Sequence, residues 1–138
     1  MRFLLDTCVL SELRKPDCHP KVREAIRSKA SEDLFLSVIS IGEIAKGIEL
    51  LDPGRRRSQL KEWLEVLKSS YGSRVLLIDQ EISHLWGELS AHAQKRGRKV
   101  SVADGLLGAT ALCHGLRVMT RNVDDFEPTG AQLVNPWL

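Results

Sequence analysis

The sequence is short of the features that build extracellular, zinc-knotted or membrane proteins. Its three cysteines, Cys8, Cys18 and Cys113, are odd in number and form no CxxC pair. A disulfide framework or a cysteine zinc site is therefore not expected, and the three read as buried thiols. No apolar run is long enough to cross a bilayer, and the first segment lacks the apolar stretch and small-residue cleavage site of a signal peptide. These absences predict a cytoplasmic protein with no membrane association. The four histidines, His19, His84, His92 and His114, form no HxH or HExxH pattern, which argues against a zinc centre. Charge of one sign is not in excess either. Twenty Lys and Arg against 18 Asp and Glu leave a formal net charge of +2, so the chain as a whole is not a polycation. Two local basic clusters remain, Arg55, Arg56 and Arg57, then Arg96, Arg98 and Lys99; each taken alone reads as a solvated helix end.

What is present fits one globular domain over residues 1–138, with an ordinary hydrophobic fraction of 43%. Short apolar runs alternate with helical patterns, the signature of a parallel sheet with crossover helices. Strands are predicted at Phe3–Leu5, Leu34–Leu36, Val75–Ile78 and Val118–Met119, with a weak last one at Gln132–Val134. Ile41, Ile44, Ala45 and Ile48 form a one-sided helical stripe, as do Leu60, Trp63, Leu64 and Leu67, and then Ile82, Leu85, Trp86 and Leu89. Trp63 and Trp86 fall on these stripes and read as core. Asp79 is placed to cap the third of these helices, and Gly97 to follow it as a left-handed residue. Two more helices are expected near residues 9–15 and 19–30, the second with Pro20 in its first turn.

Residues 101–115 differ in kind. From Val102 to Cys113 only Asp104 and Thr110 interrupt a run of apolar and small residues. This helix should be buried on most sides, with Gly105, Gly108, Ala109 and Ala111 allowing close packing on a sheet. A carboxylate in its first turn needs a compensating partner.

Ligands of parallel α/β sheets bind beyond the carboxyl ends of the strands. Asp6 follows the first strand, Glu43 falls in the first turn after the second, Asp104 opens the buried helix, and Asp125 lies past the fourth strand. Each has a structural explanation. Ser40 and Glu43 match a capping box, Ser101 and Asp104 its S-x-x-D variant, Asp6 could cap a helix, and Asp125 could support a turn with Asn122 and Asp124. Capping does not, however, require four acids to share one sheet edge. Clustered carboxylates raise one another's pKa, and a hard divalent cation such as Mg²⁺ or Mn²⁺ removes that penalty with oxygen ligands. Gly47, one turn beyond Glu43, either leaves room for that carboxylate or serves close helix packing.

The segments FLLDTCVLSELRKP, LFLSVISIGEIAKGIELL and VADGLLGATALCHGLRVMTRNVDDF, with the ending TGAQLVNPWL, cover nearly the whole chain. In their order and content they resemble PIN-domain ribonucleases, specifically VapC/FitB-like toxins of type II toxin–antitoxin systems. The resemblance implies a three-layer α/β/α sandwich around a mainly parallel four- to five-stranded sheet. It also implies homodimerisation, a cognate antitoxin that blocks the site, and structured RNA, often transfer RNA, as substrate. By motif, Asp6, Glu43 and Asp104 correspond to three metal-binding acids and Asp125 to the more variable fourth, with Asp124 as a neighbouring alternative. Thr120 and Asn122 resemble polar residues lining the site, and Thr7 one that orients the Asp6 loop. Cys8 stands where many relatives carry Asn, a departure that bears on loop geometry.

The expected reaction is hydrolysis of RNA phosphodiester bonds assisted by Mg²⁺ or Mn²⁺, with Arg98, Lys99 and Arg121 as candidate phosphate contacts. A catalytically silent RNA- or protein-binding module is the alternative, and the presence of all four acids argues against it. Haloacid dehalogenase chemistry also places an Asp after the first strand but wants a second acid two residues on, where this chain has Cys8.

Overall fold

The computed structural model describes all of residues 1–138. Five short strands, β1 (Phe3–Leu5), β2 (Leu34–Ser37), β3 (Val75–Leu76), β4 (Arg117–Met119) and β5 (Leu133–Val134), form one sheet in the order β3-β2-β1-β4-β5. Every pairing is parallel. The chain thus runs outward from the central β1 on one side, then returns to its other side through β4.

The pleat sorts alternate residues to opposite faces. Phe3, Leu5, Leu34, Leu36 and Met119 face one core with Val9, Leu10, Val22, Ile44, Ile48 and Leu64. Leu4 and Val118 face a second core with Leu107, Ala111, Leu116 and Phe126. Helices cover both faces. On the first lie α1 (Thr7–Arg14), α2 (Pro20–Arg27), α3 (Val38–Glu49) and α4 (Arg55–Tyr71); on the second, α5 (Gln80–Lys95), α6 (Val102–His114) and the short α7 (Val123–Phe126). The three-layer arrangement agrees with the expectation.

Several boundaries differ from the sequence reading. The third strand stops at Leu76, because Leu77, 71% exposed, has already left the sheet. The first helix starts two residues early, at Thr7, because Asp6 caps it; the second ends at Arg27, well before residue 30. The third helix is capped by Ser37, whose hydroxyl accepts from the Ile39 N–H at 3.0 Å. Ser40 is therefore not a cap but a wholly buried helix residue, and Glu43 lies in the second turn. The capping-box explanation of Glu43 is thereby removed.

The last long helix packs as its composition demands, though not where expected. Leu107 and Ala111 take the sheet side. Gly105 and Gly108 face other partners: a Cβ on Gly105 would come within 2.8 Å of Trp86, and one on Gly108 within 2.7 Å of Thr129. The missing side chains thus let α6 nest against α5 and the 3₁₀ turn Glu127–Thr129. Thr110, buried, donates its hydroxyl to the Leu106 carbonyl at 2.7 Å and costs the helix nothing in unpaired groups.

Candidate active site

The strand order reverses between β1 and β4, and a crevice is expected at the carboxyl ends of such a pair. Asp6 leaves β1 there and Thr120 leaves β4. The Asp6 N–H donates to the Met119 carbonyl at 3.0 Å, carrying the sheet register to the rim. The Asp6 side chain is buried and held from three sides. One oxygen accepts from the Thr7 N–H at 2.8 Å; the other accepts from the Thr120 hydroxyl at 2.8 Å and lies 3.4 Å from Cys8 Sγ. Asp6 is thus both the cap of α1 and a rim acid.

Thr7 links the next acid. While its N–H serves Asp6, its hydroxyl donates to Glu43 at 2.7 Å, bringing α3 to the start of α1. Thr120 has a similar double role: it donates to Asp6 and accepts the Asn122 N–H at 3.0 Å. Asn122 therefore contributes its backbone, its side chain staying exposed.

Asp104 sits half-buried in the first turn of α6, where Ser101 is the cap and accepts its N–H at 3.1 Å. Its carboxyl is pushed up to about 6. Burial is the main cause; the Ser101 hydroxyl opposes it, and the negative charges of Asp6, Asp125 and Glu43 add to it. The acid of the short helix that acts on Asp104 is Asp125. Residues 6, 43, 104 and 125 thus share one electrostatic neighbourhood, although they come from four different elements.

None of the chain's ion pairs involves any of these four acids. They do not form a closed cage: no three His, Cys, Asp or Glu side chains converge tightly enough to bind an ion unaided. An all-oxygen donor set with uncompensated mutual repulsion nevertheless suits a hard cation that keeps several of its own waters, as Mg²⁺ does.

Cys8 contributes more than loop geometry. Beside its contact with Asp6, its sulfur lies 3.7 Å from Thr120 Oγ1 and accepts the Arg121 N–H at 3.5 Å, so one thiol joins the ends of β1 and β4. Burial, helped by the Asp6 charge, pushes this thiol up to about 11, so it stays protonated. Nothing in the identity of a single cysteine signals this contact.

The basic candidates divide. Arg98 pairs with Glu127 at 2.8 Å, which binds it to the protein's own surface. Lys99 is exposed, two residues before the Ser101 cap, and forms no ion pair. Arg121 stacks over the Trp137 ring, 5.2 Å from its centroid. Gly47 and Glu43 border one groove with Thr7, Ser11, Arg14 and Trp63. A Cβ on Gly47 would meet nothing within 4 Å, so close helix packing does not account for this glycine.

The parallel sheet, covered by helices on both faces and carrying acids at its switch point, makes this an α/β sandwich protein. This chain belongs to the PIN-domain family, which matches residues 3–130. Within it the chain falls in the VapC/FitB-like branch of toxins. It is 38% identical over 137 residues to a VapC ribonuclease of Sinorhizobium fredii, covering 98% of this chain and 97% of that one. It is 33% identical over 136 residues to the toxin FitB of Neisseria gonorrhoeae, covering 98% of each. Among solved structures, FitAB bound to a DNA fragment is similar with a TM-score of 0.92 and 31% identity, over 99% of this chain and 96% of that one. The crystal structure of FitAcB from Neisseria gonorrhoeae gives 0.91 and 32%, over 98% of each.

Proposed function

We propose that this toxin is a Mg²⁺- or Mn²⁺-dependent ribonuclease that hydrolyses phosphodiester bonds of RNA, transfer RNA being the first candidate. It would act in the cytoplasm as a homodimer and be held inactive by a cognate antitoxin. The observation that carries this reading is the Asp104 carboxyl, pushed up by burial and by three acids from three other elements and paired with no basic side chain. The relatives' names, VapC ribonuclease and tRNA(fMet)-specific endonuclease, support the same chemistry.

Asp6, Glu43, Asp104 and Asp125 would hold one or two divalent cations, supplying a bound water of lowered pKa and neutralising charge on the scissile phosphate. The chain's own residues prepare that site. Thr120, Cys8 and the Thr7 N–H fix both oxygens of Asp6, and the Thr7 hydroxyl fixes Glu43. Asp125 or Glu43 would orient the attacking water and take its proton. In-line attack leaves a 5′-phosphate and a 3′-hydroxyl. Lys99 and Arg121 are free to meet backbone phosphates; Arg98 would first have to leave Glu127.

The test is incubation of purified protein with total RNA and Mg²⁺ or Mn²⁺, beside Asp6→Asn and Asp104→Asn. Metal-dependent cleavage by the parent, lost in both folded variants, supports the proposal. RNA binding without cleavage, equal in all three, would show a silent binding module instead.

A further inference from the structure

The parallel pairing of β4 with β5 sends two chain segments out of the sheet side by side. Met119 is paired with Val134, and the Thr120 N–H donates to the Val134 carbonyl at 2.9 Å. Two residues past Met119 the chain reaches Arg121; three past Val134 it reaches Trp137. A tight turn aims the second segment, with Asn135 Oδ1 accepting the Trp137 N–H at 2.9 Å. The indole is partly buried against the core of Phe3, Leu5 and Met119. The guanidinium of Arg121 lies over the Trp137 ring, 5.2 Å from its centroid.

The position of this pair is informative. Arg121 directly follows the residue that holds Asp6, and its own N–H is tied to Cys8. Arg121 pairs with no carboxylate of the chain and rests on an aromatic ring. With no ion pair of its own, the guanidinium keeps its donors available in the fork geometry that matches a phosphate's oxygens. Stacking on the indole also restricts the side chain before any ligand arrives, so less rotamer freedom is lost on binding. By contrast, Arg98 is engaged with Glu127.

We propose that Trp137 is a positioning residue that holds Arg121, next in the chain to the rim residue Thr120, as the clamp for a backbone phosphate of the RNA substrate. This rests on the ribonuclease reading and adds to it which basic residue holds the substrate and what aims it. The cost of losing Trp137 then falls on substrate affinity through Arg121, and not on the chemistry of the acids.

The experiment is a double-mutant cycle of Arg121→Gln and Trp137→Leu, all in full-length protein carrying Asp104→Asn so that RNA stays intact. A fluorescent single-stranded oligoribonucleotide is titrated with Mg²⁺ at several salt concentrations. Trp137→Leu keeps apolar bulk against the core, and Trp137→Phe keeps an aromatic face. Arg121→Gln and Trp137→Leu should each weaken binding by about tenfold and each lower the salt slope by roughly 0.7, the value of one phosphate contact on a single strand. The double variant should be no weaker than Arg121→Gln, and Trp137→Phe should bind close to the parent. With Asp104 restored, Trp137→Leu should raise KM and spare kcat. Additive losses in the cycle, or equal binding by the Leu and Phe variants, would overturn the positioning role. Binding insensitive to Arg121→Gln would overturn the clamp while leaving the ribonuclease reading intact. Absence of oligoribonucleotide binding by the parent would likewise overturn the clamp, whereas the ribonuclease reading stands or falls with the cleavage of total RNA.

Discussion

The Thr120 hydroxyl donates to Asp6 across the β1–β4 switch point at 2.8 Å, joining residues 114 positions apart in the chain. It fixes one oxygen of the most buried rim acid while accepting the N–H of Asn122. Thr120→Val keeps the shape of this wholly buried side chain but removes both roles. It should lower stability by about 1–2 kcal/mol and cleavage rate by roughly 10- to 100-fold, as for groups that orient metal ligands. Thr120→Ser should retain most activity. Thermal unfolding beside a cleavage assay checks this, and a Val variant as active as the parent counts against the orienting role.

Asp104 gives a pH dependence with a definite sign. Its folded-state pKa, about 6, lies above its ordinary value of 3.8. The folded protein therefore binds the Asp104 proton more readily than the unfolded chain, and this residue's contribution to stability falls as pH rises from about 4 through 6. In chelator, Asp104→Asn should thus be more thermostable than the parent at pH 7.5. That advantage should shrink as pH drops through 6 and vanish near 4. Saturating Mn²⁺ should raise the parent's melting temperature more than the variant's. A gap between the two proteins that does not change with pH would contradict this electrostatic account.

Gly47 lies on an open helix face, so Gly47→Ala should fold and gain about 0.5–1 kcal/mol from helix propensity. Gly47→Leu should also fold, yet fill the groove it shares with Glu43 and Thr7, weakening Mn²⁺ binding measured by calorimetry. Unchanged affinity in a folded Leu variant removes Gly47 from the site.

Gly105 is its opposite. An added methyl would meet Trp86 at 2.8 Å, in the contact that seats α6 on α5. Gly105→Ala should destabilise by about 1–3 kcal/mol and lower activity by shifting Asp104. Gly42→Ala, where a Cβ meets nothing within 4 Å, serves as the control in chemical denaturation.

The layered fold was legible because short apolar runs mark strands buried on both faces and one-sided helical stripes mark the elements that cover them. The uninterrupted apolar run Phe3, Leu4 and Leu5 feeds two cores, and the 3.6-residue stripes of α3, α4 and α5 cover them. What misled was local degeneracy. Ser37 and Ser40 can both cap a helix, and only the end of β2 decides for Ser37. Two-residue strands such as β3 exist by pairing rather than by propensity, so apolar Leu77 and Ile78 extended the expectation too far. The acids of the rim could be named from motif and topology. Their tethers could not, since the Thr7–Glu43 and Thr120–Asp6 bonds depend on side-chain geometry across 36 and 114 residues. The slim face of α6 was visible as composition, but its partners Trp86 and Thr129 emerge only from packing.

Calorimetric titration of Mn²⁺ into the parent, Asp6→Asn, Glu43→Gln, Asp104→Asn and Asp125→Asn probes the shared acidic centre most directly. The expected result is saturable binding by the parent, weakened at least about tenfold in Asp6→Asn and Asp104→Asn while all variants unfold cooperatively. Equal affinity in all five proteins, or no binding by the parent, would contradict a common cation.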